Sequence, residues 1–376
     1  MSITKNTILY DPINHYNLGF HHTIISHPPA GVTFKASSIE YLLPEAMVAN
    51  ANSTVGENFL SIGKFQSGKQ NILLFSPHTL LTNEKPWIMD LEHVDWLFIN
   101  DYVLKEREKL IPYWKLKLAM HYLHSKYCKK ILCMSKAAFK SLIETFDDEI
   151  ISQKSILFYP VQEYRPKTNR KKKNAVRLLF ICSEYAHWYR KGGDIAILVF
   201  LKLKKEFPEL ELHYIGKLPE RISYFPRLFF RKEDVKKISG FFHYDNMKHK
   251  ELLSKIYPLV DILLFPSRAD TFGTTVLEAM SFGITVIASS GNHVFGTQDV
   301  IENGKNGFLV FHNDNYPSHA LAKNINKIEF IKITKTIIES ADLRLKIGEN
   351  ARRLFKNSQF SIPSMQRILN RIVSEI

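Results

Sequence analysis

"FPSRADTFGTTVLEAMSFGITVIAS" occupies residues 265–289, and its reading decides the fold. It opens inside "DILLFPS" (261–267), an apolar run with the length of a buried strand. It closes on "ITVIAS" (284–289), a second such run. Between them Pro266 and Gly273 bracket a loop, and a helix is predicted over residues 274–282. Gly283 then stands where a left-handed residue ends a helix. Strand, loop, helix, strand is the repeating unit of a parallel sheet.

The loop and the helix start carry chemistry. A helix N-terminus presents unpaired N–H groups and a partial positive charge, so it binds phosphate. Gly273 leaves the backbone open to an anion, Thr274 and Thr275 add hydroxyl donors, and Phe272 precedes them in the same loop. Glu278 lies one turn further in. Helical side chains lean toward the N-terminus, which brings its carboxylate back over the first turn. Beside a bound diphosphate such a charge is unfavourable unless it faces hydroxyls, and a ribose diol suits it. Asp270, before the helix, is placed to accept from sugar hydroxyls on the other side of the phosphates. Taken alone, two acids at this spacing are more often a loop cap and a surface salt bridge. The surrounding chain tells against that simpler reading.

From residue 176 onward strands and helices alternate. Strands are predicted at 176–181, 211–216, 261–267, 284–289 and 307–310, and helices at 192–206, 246–257, 274–282 and 341–356. This pattern predicts a doubly wound parallel α/β sheet. Before it, "VQEYRPKTNRKKKNA" (161–175) reads as a charged linker. The earlier half is harder to read. "NTILY" (6–10), "NILLF" (71–75) and "SILFYP" (155–160) look like short strands, and "KPWIMDLEHVDWLF" (85–98) opens as one. Residues 103–127 read as a long helix with a basic face. Residues 129–146 read as strand, turn and helix with Ser135 as N-cap. At 376 residues the chain is long for one core. The expected domains are 1–165 and 166–355, both Rossmann-like, with a C-terminal helix over 356–376.

A second motif, "HWYRKGGDIAI" (187–197), follows the first strand of the second half. Alone, Arg190 and Lys191 are a solvated basic turn at a helix start. Together with residues 265–289 they carry a resemblance. The two motifs resemble the donor site of the retaining glycosyltransferases of family 4, which have the GT-B fold: two Rossmann-like domains facing each other across a cleft. The resemblance is specific over about 175–310, and "ILCMSKAAFKSLI" (131–143) resembles the last strand–helix unit of the family's N-terminal domain.

The resemblance implies roles. Arg190 and Lys191 would neutralise the leaving diphosphate in place of a metal. The backbone around Gly273, Thr274 and Thr275, with Phe272, would hold the donor. Glu278 would bind the ribose and Asp270 the sugar. The family's pattern is Glu, seven residues, Glu, and this chain departs from it with Asp270. The family often places an arginine directly after the preceding strand. Ser183 lies near that place here, with Arg190 as its substitute. A histidine after a mid-domain strand contacts the donor sugar in the family. His93 is the best match, with a core or surface histidine as its equal alternative, and His78 and His21–His22 as lesser candidates. The glycine-rich donor loop is not evident, and "HYNLGFHH" (15–22) with Gly19 takes its place. The last helix is expected to cross back onto the N-terminal domain.

Composition bounds the partners. The formal charge of +14 calls for an anionic partner: nucleic acid, an acidic membrane face or phosphorylated small molecules. The three cysteines form neither a disulfide framework nor a zinc site, and the N-terminus does not read as a signal peptide. A cytoplasmic protein is expected. "DLE" (90–92) alone is a weak metal signal, and no metal or other cofactor is expected. There is no Gly-x-x-x-x-Gly-Lys-Ser/Thr loop and no Gly-x-Ser-x-Gly elbow. "YFPRLFFRK" (224–232) and the basic helix raise a peripheral contact with an anionic membrane, against the commoner explanation of packing or a solvated face. The expected function is transfer of a sugar from a nucleotide diphosphate sugar to a glycan or glycolipid hydroxyl. The alternatives are an epimerase on the same fold and a basic nucleic-acid-binding module. The module explains the charge but not the two matched phosphate motifs, so no nucleic acid is expected.

Overall fold

The computed structural model describes residues 6–11, 20–41, 60–66, 72–98, 113–165, 175–182, 187–225, 228–291, 295–312 and 325–376. The loop with Gly19, residues 103–112 of the basic helix, the basic run at 169–173 and Ser183 lie outside these. The chain divides into two compact units, one of Met1–Gln162 with Ser358–Ile376 and one of Glu163–Asn357.

The second unit is built on six parallel strands. From edge to edge they are Phe241–Tyr244, Glu211–Ile215, Arg177–Ile181, Ile262–Phe265, Thr285–Gly291 and Phe308–His312. The strands at 262–265 and 285–291 are buried at every position. That is why the sequence shows continuous apolar runs there instead of alternation: helices cover both faces of a parallel sheet. In chain order the strands lie 3-2-1-4-5-6, the Rossmann order. The order reverses between Arg177–Ile181 and Ile262–Phe265, and open α/β sheets bind ligands at the carboxyl ends of the strands there. The Gly193–Lys204 helix covers one face with Ile195, Ala196, Val199, Phe200 and Leu203. The aromatic and basic run at 221–231 forms an antiparallel hairpin, Arg221–Phe225 with Leu228–Arg231.

The first unit has its own six-stranded parallel sheet. Its order is Val32–Ala36, Asn6–Tyr10, Ile72–Pro77, Trp87–Leu91, Cys128–Cys133 and Ser155–Leu157. Ser135 caps the Lys136–Phe146 helix by accepting from Ala138 N–H at 2.9 Å. The Ile362–Ser374 helix belongs to this unit, although it is last in the chain. It carries Met365, Leu369 and Ile372 at the i, i+4, i+7 spacing of one helix face. All three are buried in a cluster with Ile8, Phe20, Phe75 and Phe158. Such side chains stabilise by about 1.5–3 kcal/mol each when fully buried. Burial pushes the Cys128 and Cys133 thiols up to about 12, so neither is a reactive thiolate. Among the described residues no helix is long and apolar enough to cross a membrane.

Gly283 ends the Thr274–Ser281 helix in the left-handed region, and the Ala341–Asn357 helix lies against that turn. A Cβ on Gly348 would stand 2.1 Å from the Gly283 carbonyl oxygen. Gly348→Ala is therefore expected to destabilise the second unit by about 1–3 kcal/mol, the cost of overpacking. Thermal denaturation of wild type and variant, followed by circular dichroism, checks it.

Candidate active site

Two loops leave the second sheet at its switch point and are joined by the chain's own hydrogen bonds. The Arg268 N–H donates to the Arg190 carbonyl at 2.7 Å, and the Ser267 hydroxyl donates to the same oxygen at 3.2 Å. The Arg190 guanidinium donates back to the Ala269 carbonyl at 3.2 Å. Arg268 closes the joint. It is 3% exposed, grips both Asp194 oxygens at 2.8 and 2.7 Å, and stacks on the Tyr189 ring at 3.7 Å. The loops touch so closely that a Cβ on Gly192, at φ 77°, would stand 2.0 Å from the Pro266 carbonyl oxygen. Only glycine fits there.

Of the sequence-predicted residues of this unit, Arg190, Lys191 and Asp270 come together at that joint. Lys191 forms an ion pair with Asp270. They are 79 positions apart in sequence. Asp270 is 6% exposed, and its carbonyl accepts from Gly296 N–H at 3.3 Å, so the loop is held from both sides. The Lys191 ammonium also lies 5.5 Å from the Phe265 ring. Gly273 begins the Thr274–Ser281 helix in the left-handed region without a side-chain cap. The first N–H groups of a helix have no intrahelical partner and carry its partial positive charge. Phe272 is buried beneath the loop.

Glu278 is not the surface salt bridge of the simpler reading. It is 5% exposed, and both of its oxygens are held. The Tyr257 hydroxyl donates to Oε2 at 2.7 Å, and the His249 Nε2 lies 2.7 Å from Oε1. Tyr257 is fully buried and stacked on Phe282, with ring centroids 5.3 Å apart. Burial and the Glu278 charge hold its hydroxyl well above the ordinary range, so it remains a donor. The hydrogen bond to Glu278, with that residue's charge, raises the His249 imidazole above its usual value against the opposing effects of burial and the Arg165 cation.

Arg268, Asp194, His249 and Tyr257 were missed by sequence reasoning. Arg268 stands inside the quoted stretch, and its apolar neighbours Pro266 and Ala269 were the signal that it is buried. His249 and Tyr257 stand eight apart in "HKELLSKIY" (249–257), which gave no more than a helix.

His93 lies in the first unit, buried, after the Trp87–Leu91 strand. Its carbonyl accepts from Trp96 N–H at 3.1 Å. Two of the other histidines considered there, His21 and His78, share one acid. His21 Nε2 is 2.5 Å from Asp90 Oδ2, and the His78 backbone N–H donates to Oδ1 at 3.3 Å. Asp90 is fully buried, which by itself raises its pKa, but the His21 and His78 charges outweigh this and lower it. Among the described residues no group of three or more His, Cys, Asp or Glu side chains is placed to hold a metal ion.

In the second unit, then, two cations, two buried acids and a helix N-terminus meet at a sheet switch point. That set suits a ligand with both phosphates and hydroxyls. It also has a pH signature. The raised pKa of His249 means that its pairing with Glu278 is fully present below the ordinary imidazole value of 6.5 and is lost as pH rises through the higher folded value. The melting temperature of the wild type is expected to fall over that window, and His249→Gln to remove that part of the fall. Thermal denaturation from about pH 6 to about pH 9 at constant ionic strength reads it.

Residues 162–354, just over half of the chain, match the family model described as glycosyl transferases group 1. Over 128 residues the chain is 29% identical to the sulfoquinovosyl transferase SQD2 of Arabidopsis thaliana, covering 33% of this chain and 22% of that one. Over 132 residues it is 27% identical to CapM of Staphylococcus aureus, a capsular polysaccharide biosynthesis glycosyltransferase, covering 34% and 31%. These matches thus span less than a third of each relative. Among solved structures, Anabaena HepE in complex with UDP and glucose covers 99% of this chain and 100% of its own, at 12% identity and a TM-score of 0.61. A glycosyltransferase from Rickettsia africae covers 99% and 98%, at 18% identity and 0.60. At such identities the likeness shows the fold, which is GT-B with two Rossmann-like sheets. With the family model matched across the whole switch-point site, the chain belongs to the glycosyl transferases group 1.

Proposed function

We propose that the chain is a retaining, metal-independent glycosyltransferase of family 4 that moves a hexose-type sugar from a nucleotide diphosphate sugar to a hydroxyl acceptor. The observation that carries this reading is the buried Glu278 carboxylate one turn inside the Gly273 helix end, in the helix that follows the loop of the Lys191–Asp270 pair. The Gly273 helix end, with Thr274 and Thr275, receives the distal phosphate. Arg190 and Lys191 take up negative charge as the bond between the anomeric carbon and the phosphate oxygen breaks. Two fixed cations supply the stabilisation that a divalent ion gives elsewhere, which is the support for metal independence. Glu278 accepts from the ribose and Asp270 from the sugar. His93 is the further residue proposed to contact the sugar.

The first test is a thermal-shift screen against UDP, GDP, ADP and their common sugars, with and without EDTA. HepE was solved with UDP and glucose, so UDP leads the screen. A ligand that binds the folded state raises its melting temperature. A shift with one nucleotide that EDTA leaves unchanged is the expected result, and a shift abolished by EDTA overturns metal independence. Glu278→Ala is expected to weaken nucleotide binding by about ten- to a hundredfold, since a hydrogen bond to a charged group contributes about 1.5–3 kcal/mol. Turnover that needs no added acceptor would point to the epimerase instead.

The acceptor is proposed to be a glycan or glycolipid, met by a cytoplasmic enzyme at a membrane surface. The Tyr113–His124 helix exposes Tyr113, Trp114 and Lys117, an aromatic and cationic set suited to an anionic interface. Flotation with anionic liposomes at low salt is expected to carry the protein upward, and the double variant Trp114→Ser, Lys117→Glu to reduce this several-fold. No enrichment of the wild type would remove the membrane contact.

A further inference from the structure

We propose that His249 is the positioning residue that sets the Glu278 carboxylate for a ribose diol, and that it thereby gives the site its preference for ribonucleotides over deoxyribonucleotides. The proposal rests on the reading of Glu278 as the ribose acceptor.

The argument is one of counting acceptors. An ionised carboxylate offers about four lone-pair directions, two on each oxygen. Tyr257 takes one on Oε2, and His249 takes one on Oε1. One direction on each oxygen is left, which matches the two vicinal hydroxyls of a ribose and exceeds what a deoxyribose supplies. The two donors differ in kind. The Tyr257 ring is fully buried and stacked on Phe282, so its hydroxyl is fixed. The His249 side chain is 36% exposed, so it is the open side of the carboxylate's cage. Without it Oε1 loses the His249 donor, and less holds the carboxyl group against turning about its last bond.

The backbone is shaped for this pair. Residues eight apart on an α-helix point about 80° away from each other. Here the segment between them, Leu252–Ile256, is a π-helical turn closed by Tyr257 N–H donating to the Leu252 carbonyl at 3.0 Å. The wider turn takes up part of that offset, and His249 and Tyr257 both reach Glu278. Single π turns recur at functional sites because they re-aim side chains. The charged or titratable groups facing the imidazole are Glu278 and Arg165, and Tyr257 shares the same carboxylate. Arg165 itself lies over the Phe282 ring at 4.4 Å, so it lines the same corner without taking the place of His249 on the carboxylate.

The test is calorimetric titration of the full chain with UDP, GDP and ADP, each against its 2′-deoxy counterpart. Wild type, His249→Phe, His249→Gln and Glu278→Ala are compared. In wild type the ribonucleotide that binds is expected to bind about tenfold more tightly than its deoxy form, the worth of one hydrogen bond to a charged group. His249→Phe is expected to bring that ratio close to one while retaining phosphate-driven binding. His249→Gln, which keeps an N–H donor, is expected to restore most of the ratio. A merely structural role would weaken both nucleotides alike and leave the ratio intact. If His249→Phe keeps the ratio while Glu278→Ala loses it, the inference is overturned and the role of Glu278 stands. If Glu278→Ala keeps both the affinity and the ratio, the reading of Glu278 falls and takes the inference with it.

Discussion

The Arg268–Asp194 pair is the constraint on which the site depends. It joins the two loops that leave the sheet where its strand order reverses. A buried ion pair is a poor source of net stability, because the desolvation of two charges offsets their attraction. It is a strong source of register, because breaking it leaves an uncompensated buried charge at a cost of about 3–5 kcal/mol. Planar Arg268 adds a ring stack and a carbonyl contact with Tyr189. A lysine has neither the fork nor the flat face to do the same. The joint therefore sets the distance between the backbone at 189–192 and the backbone at 266–270. The cations at 190 and 191 and the acid at 270 inherit that distance.

Charge is arranged on this frame so that each acid already has a partner. Asp270 is held by Lys191, and Glu278 by His249 and Tyr257. Two buried carboxylates beside a helix end would otherwise be costly to keep without hydrogen bonds. On the proposed reading, a donor changes partners instead of adding charge to an empty site. Its phosphates compete with Asp270 for Lys191, and sugar hydroxyls replace the ammonium on Asp270. Partner exchange of this kind costs less than ordering free side chains, since the groups are already fixed.

Five of the six strands of the second sheet were legible in the sequence because helices cover both faces, while the partly buried edge strand Phe241–Tyr244 was not predicted. Runs such as "ILLF" at 262–265 need no alternation to be recognised, and the Gly283 turn and Ser135 cap each obey a local rule. Arg190, Lys191, Asp270, Gly273, Thr274, Thr275 and Glu278 could be singled out as candidates because two short motifs carry them. What was not legible is long-range or locally irregular. The Arg268–Asp194 pair spans 74 positions, and the His21–Asp90 contact spans 69. No local pattern encodes either. The Phe20–Ser26 helix and the Val32–Ala36 strand are short elements, and only part of each is buried. The π turn before Tyr257 breaks the 3.6 period on which the helix reading depends. The pairing of Arg221–Phe225 with Leu228–Arg231 was not predicted, because it rests on backbone hydrogen bonds rather than on side-chain pattern.

The aspartate at 270 fits this picture better than its shortness suggests. One methylene less draws the carboxylate toward the loop backbone, where a longer acid would reach out. The backbone at that point is fixed twice. On one side Arg190 donates to the neighbouring Ala269 carbonyl, and on the other Gly296 N–H donates to the Asp270 carbonyl. Lys191, carried by the loop that Arg268 fixes, pairs with the short acid. Both ends of the pair thus stand on backbone whose position the buried joint determines.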